Sequence, residues 1–358
     1  MKEIKISLMG FGNVGQALAR LLISKQSFLA RQHQLNVVLT GILTAHHGTV
    51  INEAGIDLQA ALSLAEADQS LNTLPGDTTS VSDVNFVRVC HADIVFENTP
   101  VNYDTGEPAL SHIKGALKMG KYAITANKGP IVHGYRELKD LALAHGGRFL
   151  FESTVMDGAP IFSLWREALP GAELQSFRGV LNSTTNLILT LMEDGHTFDE
   201  AVSHTQSIGI AESDPSGDIK GWDAAVKVAA LVTVLMDIPT TPQEIEREGI
   251  GKLKVDDVIA AKQDGHRWKL ICSAGRDGEK AHASVRLERI DNSDPFYSVM
   301  GTSSAVSFSS DVLGDLTIIE ENPGPHTTAY GLFADMLNAL ELSPLASAKS
   351  RADLTDHA

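Results

Sequence analysis

The sequence predicts an α/β protein, with a doubly wound parallel sheet over residues 1–152 and an α+β region after it. Three observations predict this. Apolar strand-like runs alternate with helical patterns through the first part, as in a sheet with crossover helices. A glycine-rich turn joins the first strand to the first helix. After Glu152 the alternation gives way to runs of helix with isolated strands.

The elements follow in order. Ile4-Lys5-Ile6-Ser7-Leu8 opens a strand over 4–9, and Val14, Ala17, Leu18, Leu21 and Leu22 recur at helical spacing between Asn13 and Arg31. Further strands are expected over 36–43, 93–97, 122–125 and 148–152, with a polar helical excursion between Gly48 and Asp83. In the second region, helices are predicted over 162–169, 185–193, 198–208 and 222–235, the last closed by Pro239. Strands are predicted over 177–181, 281–290 and 303–309. A last helix over 328–342 is expected to pack back on the first domain, before a disordered tail over 343–358.

Composition sets outer bounds. A chain of 358 residues suits two domains, and 43% hydrophobic with 21% charged residues is ordinary for a globular protein. The net charge of −16, from 45 acidic against 29 basic side chains, opposes binding to nucleic acid or anionic lipid. Cys90 and Cys272 lie in apolar segments without metal-ligand spacing and read as buried thiols. The N-terminus lacks the pattern of a signal peptide, and no apolar run reaches the roughly 18 residues that suggest a membrane span. A cytoplasmic protein is expected.

Gly10-Phe11-Gly12-Asn13-Val14-Gly15 follows a strand and opens a helix. Gly10 permits the tight turn, Gly12 lets backbone approach a pyrophosphate, and Gly15 allows close packing of helix on strand, while free amides at the helix start face the phosphates. Dinucleotide binding is the expectation. The second strand ends in Thr44-Ala45-His46-His47, without the carboxylate that holds the ribose of NAD. Thr44, His46 and His47 offer hydrogen bonds to a 2′-phosphate, so NAD and NADP both stay open with a lean to NADP.

Polar residues then crowd between 182 and 227: Asn182-Ser183-Thr184-Thr185-Asn186, Gly209-Ile210-Ala211-Glu212-Ser213-Asp214-Pro215, and Asp218 through Lys227. Asp223 and Lys227 share one helix face at i,i+4 spacing. As a surface ion pair they would mean little. Ala224, Ala225, Val226, Val228, Ala229 and Ala230 surround them, however, and a lysine in so apolar a helix needs a partner or a task. Ligands of an open α/β sheet sit beyond the carboxyl ends of its strands, which puts Thr99 and Pro100 after one strand and Lys128 after another beside the cofactor.

Taken together, the glycine-rich turn, Thr125-Ala126-Asn127-Lys128, Asn182 to Asn186, Gly209 to Glu212, Asp214-Pro215, Asp218 and Gly221 to Lys227 resemble the homoserine dehydrogenase family, from residue 4 to about 340. The resemblance is to its short form, without an aspartate kinase or C-terminal regulatory domain. It implies a Rossmann-type nucleotide domain (1–152), a dimerisation and catalytic domain with a mixed sheet (153–321) and a helix returning to the nucleotide domain (322–342). It also implies a homodimer that oxidises L-homoserine reversibly to L-aspartate 4-semialdehyde with NAD(P). Lys128 and Lys227 match the family's paired lysines, and Asp223 orients Lys227. Glu212, Asp218 and Thr184 match residues that hold the amino acid. Gly10, Gly12, Asn13, Val14, Gly15, Thr44, Thr99, Pro100 and Lys128 face the cofactor. Glu152 matches the side-chain ligand of a monovalent cation such as Na+, with Val155 and nearby carbonyls such as that of Ala159.

Two places depart from the family pattern. Asp157 stands where a small residue is usual and adds a carboxylate beside the cation site. Pro325 and His326 are bulkier than the usual turn near the cofactor. The first implies stronger cation binding or a different closure of the nearby loop, the second an altered cofactor fit or substrate range, and a different small hydroxy acid or aldehyde is the alternative substrate.

Overall fold

The computed structural model describes residues 1–78 and 81–341; the tail expected from 343 onward lies outside them. The first sheet is built from β1 (Lys2–Met9), β2 (Leu35–Leu43), β3 (Thr49–Ile51), β4 (Ile94–Glu97), β5 (Tyr122–Thr125) and β6 (Arg148–Leu150). Their order is β3-β2-β1-β4-β5-β6, parallel except for β3, which runs antiparallel to β2. Its crossover helices are α1 (Asn13–Gln32), α2 (Leu58–Glu66), α3 (Asp83–Val89), α4 (Ala109–Lys118) and α5 (Gly129–His145).

Strand residues alternate between two cores. Ile4, Ile6, Leu8, Ile94 and Phe96 join Leu18, Leu22 and Leu29 of α1 on one face. Met9, Val95 and Ala123 join Phe86 of α3, Ile113 and Leu117 of α4 and Leu138 of α5 on the other. The chain winds outward from β1 to β3 and then returns to β4 on the opposite flank of β1, where Met9 pairs with Glu97. That reversal opens a crevice at the carboxyl ends of β1 and β4, the usual ligand position in such sheets.

The second sheet comprises β7 (Leu174–Val180), β8 (Glu246–Arg247), β9 (His266–Asp277), β10 (Lys280–Asp291), β11 (Ser304–Ser310) and β12 (Leu316–Glu320), in the order β12-β11-β7-β9-β10-β8. It is mixed: β8 runs parallel to β10 and the other pairs are antiparallel. The accompanying helices are α6 (Ser183–Glu193), α7 (Phe198–Ser207), α8 (Ser216–Ile219), α9 (Trp222–Leu235) and α10 (Val255–Gln263). α9 is apolar around nearly its whole circumference and is correspondingly buried. The last helix, α11 (Pro325–Glu341), lays Leu332, Phe333 and Met336 into the core shared by β1 and α1. Among the described residues two compact units result: Met1–Pro130, Gly134–Gly158 and Pro325–Glu341 form one, and Ile131–His133 with Ala159–Gly324 form the other.

Four expectations need correction. The strand expected over 148–152 stops at Leu150, and Glu152–Thr154 forms a tight 3₁₀ turn. The excursion from Gly48 to Asp83 holds β3 as well as α2, because Thr49–Ile51 completes the edge of the sheet. The helix expected over 162–169 is π-helical over Leu164–Ala168. The last helix begins at Pro325, since proline is favourable in a first helical turn.

Candidate active site

After β1, Gly10 adopts a left-handed φ of 90°, and a Cβ there would lie 2.5 Å from the carbonyl oxygen of Asn98. A Cβ at Gly15 would lie 2.5 Å from the Gly10 carbonyl oxygen. At Gly12, the N-cap of α1, a Cβ would meet nothing within 4 Å. The helix therefore begins beneath open space, with no side-chain cap and no acidic residue in its first turn. Unsatisfied amides and the positive end of the helix dipole suit an anion there. Beside the turn, both polar atoms of the Asn98 amide are buried without a hydrogen-bond partner. Backbone donors, open space and an unsatisfied amide at the switch point fit a dinucleotide.

At the end of β2 the Thr44 hydroxyl donates to the Gly48 carbonyl (3.0 Å) and accepts from the His47 amide (2.8 Å). Its single proton is used within the loop. His46 is exposed. Past β4 and β5, Asn127 donates to the Thr99 carbonyl (2.9 Å), so the Thr99–Pro100 and Asn127–Lys128 turns are tied together. Lys128 is half-buried at the start of α5.

The second unit brings Asp218, Asp223 and Lys227 together around Asn182, which has no assigned role in the sequence motifs. Asn182 caps α6 by accepting from the Thr185 amide (2.8 Å), which leaves its Nδ2 as the donor. Nδ2 donates to Asp218 (2.6 Å) and to Asp223 (3.0 Å). Asp223 lies 3.2 Å from Lys227 Nζ, which also donates to the Leu181 carbonyl (2.6 Å). Both charged side chains are largely buried, so this is no solvated surface pair. Thr184 is buried at the start of α6, whereas Glu212 is exposed on the loop before α8. Behind the site, burial pushes the Cys272 thiol up to about 12, which keeps it inert.

Glu152 is buried, and its backbone N–H donates to Asp335 of α11 (2.8 Å). Asp157, at a positive φ of 39°, accepts from the Thr328 hydroxyl (2.5 Å), and Ser153 donates to the Thr328 carbonyl (2.7 Å). Asp157 thus tethers the start of α11. Asp157 and Pro325-His326 both lie at the start of α11, where Pro325 and His326 line a groove with Asn13 and Gln16 of α1. Among the described residues no group of three or more His, Cys, Asp or Glu side chains could hold a metal ion.

A glycine-rich cradle at the switch point of a parallel sheet, with a lysine–carboxylate constellation on a separate mixed-sheet unit, defines a dinucleotide-dependent oxidoreductase architecture. The homoserine dehydrogenase family model matches residues 160–337. An NAD(+)-dependent homoserine dehydrogenase of Pseudomonas canavaninivorans is 37% identical over 94% of this chain and 96% of its own. The homoserine dehydrogenase of Methanocaldococcus jannaschii is 33% identical over 93% of this chain and 97% of its own. A hyperthermophilic archaeal homoserine dehydrogenase solved in complex with NADPH superposes with a TM-score of 0.81 at 30% identity, covering 96% of this chain and 99% of that one. The chain belongs to the homoserine dehydrogenase family.

Proposed function

We propose that this chain catalyses the reversible NAD(P)-dependent oxidation of L-homoserine to L-aspartate 4-semialdehyde, as a cytoplasmic homodimer. The observation that carries the reading is Lys227, largely buried in an apolar helix and held against Asp223 by side chain and against Leu181 by backbone. Gly10, Gly12, Asn13, Val14 and Gly15 receive the pyrophosphate, and Thr99, Pro100 and Lys128 line the nicotinamide end. A bound nicotinamide would supply the hydride acceptor, or in reverse the hydride donor, for the carbon that bears the hydroxyl. Lys227 Nζ, as a neutral amine, takes up the hydroxyl proton and releases it to solvent, while Asp223, itself held by Asn182, keeps that lysine in place. Asp218 and Glu212 offer carboxylates to the substrate ammonium, with Thr184 beside them. A monovalent cation is carried in this reading by Glu152 and the Val155 carbonyl, with Asp157 anchoring the segment to α11.

NAD or NADP serves as the cofactor in this reading. The hydroxyl of Thr44, the one short side chain that could greet a 2′-phosphate from the end of β2, donates within its own loop. This weakens the lean to NADP. Purified protein assayed with NAD and with NADP against L-homoserine and a panel of other small hydroxy acids tests the proposal through absorbance of the reduced nicotinamide. Turnover of L-homoserine is expected; turnover confined to another hydroxy acid, or none at all, contradicts it.

A further inference from the structure

Glu97, the last residue of β4, is fully buried, and a buried carboxylate is unfavourable unless it is paired and hydrogen-bonded. Its partners all belong to the two strand ends that face the crevice, or to the helix behind them. Oε1 accepts from the Thr99 amide (3.1 Å) and from the Thr99 hydroxyl in a short bond. Oε2 lies 3.3 Å from the Thr125 hydroxyl, which also donates to the Glu97 carbonyl (2.7 Å). The Thr125 hydroxyl accepts from the Asn127 amide (2.9 Å), and Asn127 spans to the carbonyls of Thr99 (2.9 Å) and Pro100 (3.3 Å). Its Oδ1 accepts from the Gly129 amide (2.9 Å), next to Lys128. Glu97, Thr99, Asn127 and Thr125 therefore close a ring that joins the turn after β4 to the turn after β5.

Behind the ring, the buried His112 of α4 lies 3.5 Å from Glu97 and 3.4 Å from Asp83 of α3. An apolar residue at 97 would leave the buried end of the Thr99 turn without its acceptor, since Asn127 holds only the carbonyl side of that turn. The charge itself is not what the turn needs; an oxygen at this point is.

We infer that Glu97 is a positioning residue for the cofactor site, holding the Thr99–Pro100 and Asn127–Lys128 turns in their binding geometry before the dinucleotide arrives. The inference rests on the dinucleotide reading above. Preorganisation of this kind appears in affinity for the group that meets the turns, and much less in affinity for the amino acid.

Titration of full-length protein with NADH and with NADPH, read by nicotinamide fluorescence, tests it alongside steady-state kinetics and thermal melting. Glu97→Ala is expected to weaken binding of the preferred dinucleotide about tenfold, with the KM for L-homoserine changed less than about twofold. Glu97→Gln keeps an oxygen for Thr99 and is expected to recover affinity to within about threefold of the native protein. Native dinucleotide affinity in Glu97→Ala, with only its melting temperature lowered, overturns the inference, as does an equal loss of amino-acid affinity. Should Glu97→Ala not fold, Thr99→Val removes the hydroxyl arm of the ring, and about threefold weaker binding is expected; unchanged affinity there overturns the inference too. If the native protein binds neither NADH nor NADPH, it is the dinucleotide reading that fails, and this inference falls with it.

Discussion

The cradle after β1 and the constellation around Asn182 solve opposite problems. The cradle is built from what is missing: glycines without side chains, a helix start without a cap, and open space at Gly12. The constellation is built from charge, with two carboxylates and a lysine brought together by one amide. An anionic ligand needs backbone donors and room, which local sequence can encode within six residues. Proton transfer needs side chains held at fixed separations, which only the folded chain can assemble.

The comparison can be broken first at the lysine. Lys227→Ala is expected to lower kcat about a thousandfold, the scale of a lost proton-transfer group, as steady-state kinetics will read. Next comes Asn182. Asn182→Asp keeps a good helix cap but replaces the donor with a third carboxylate facing Asp218 and Asp223. A loss in kcat/KM of about a hundredfold is expected from misplacement of Lys227 and Asp218. If that variant turns over normally, Asn182 does no more than cap α6.

A third effect, on stability and not on turnover, concerns a second buried lysine in the same unit. Lys269 of β9 donates to Asn186 (2.7 Å) and to the Val299 carbonyl, with Glu193 and Arg267 close by, and burial lowers its pKa from the ordinary 10.5 to about 8. The folded chain holds this proton less tightly than the unfolded chain. Between pH 8 and 10.5 the unfolded state binds more protons, so folding gains stability as pH rises through that window, and below it the penalty is constant. Compared with Lys269→Met, the native protein should gain up to about 3 kcal/mol across that window, read from urea midpoints. The buried Cys272 thiol, raised to about 12, works in the opposite sense above its ordinary value of 9.0, in native protein and variant alike.

What the sequence reveals follows sequence distance. The glycine-rich turn and α1 are legible because strand, turn and helix signals are contiguous, and the observed helix ends at Gln32, one residue past the expectation. β9 escapes because Lys269 interrupts its apolar run, although the folded chain buries that side chain completely. Asp223 and Lys227 can be paired from helical spacing alone. The role of Asn182 cannot, since its carboxylate partners lie 36 and 41 residues away. The tether between Asp157 and Thr328 spans 171 residues, so from sequence Asp157 reads only as an extra carboxylate. Glu97 is hidden for another reason: a glutamate ending a strand looks like a solvated residue until the fold buries it beneath Thr99.

In the proposed reading, dinucleotide capture and proton transfer rest on different chemistry in different units of the chain, and one variant can separate them. Titrating NADH and NADPH into Lys227→Ala measures this directly: a dissociation constant within about twofold of the native protein, beside the loss of turnover, is what the account predicts. A dissociation constant raised in proportion to the loss of turnover would contradict it.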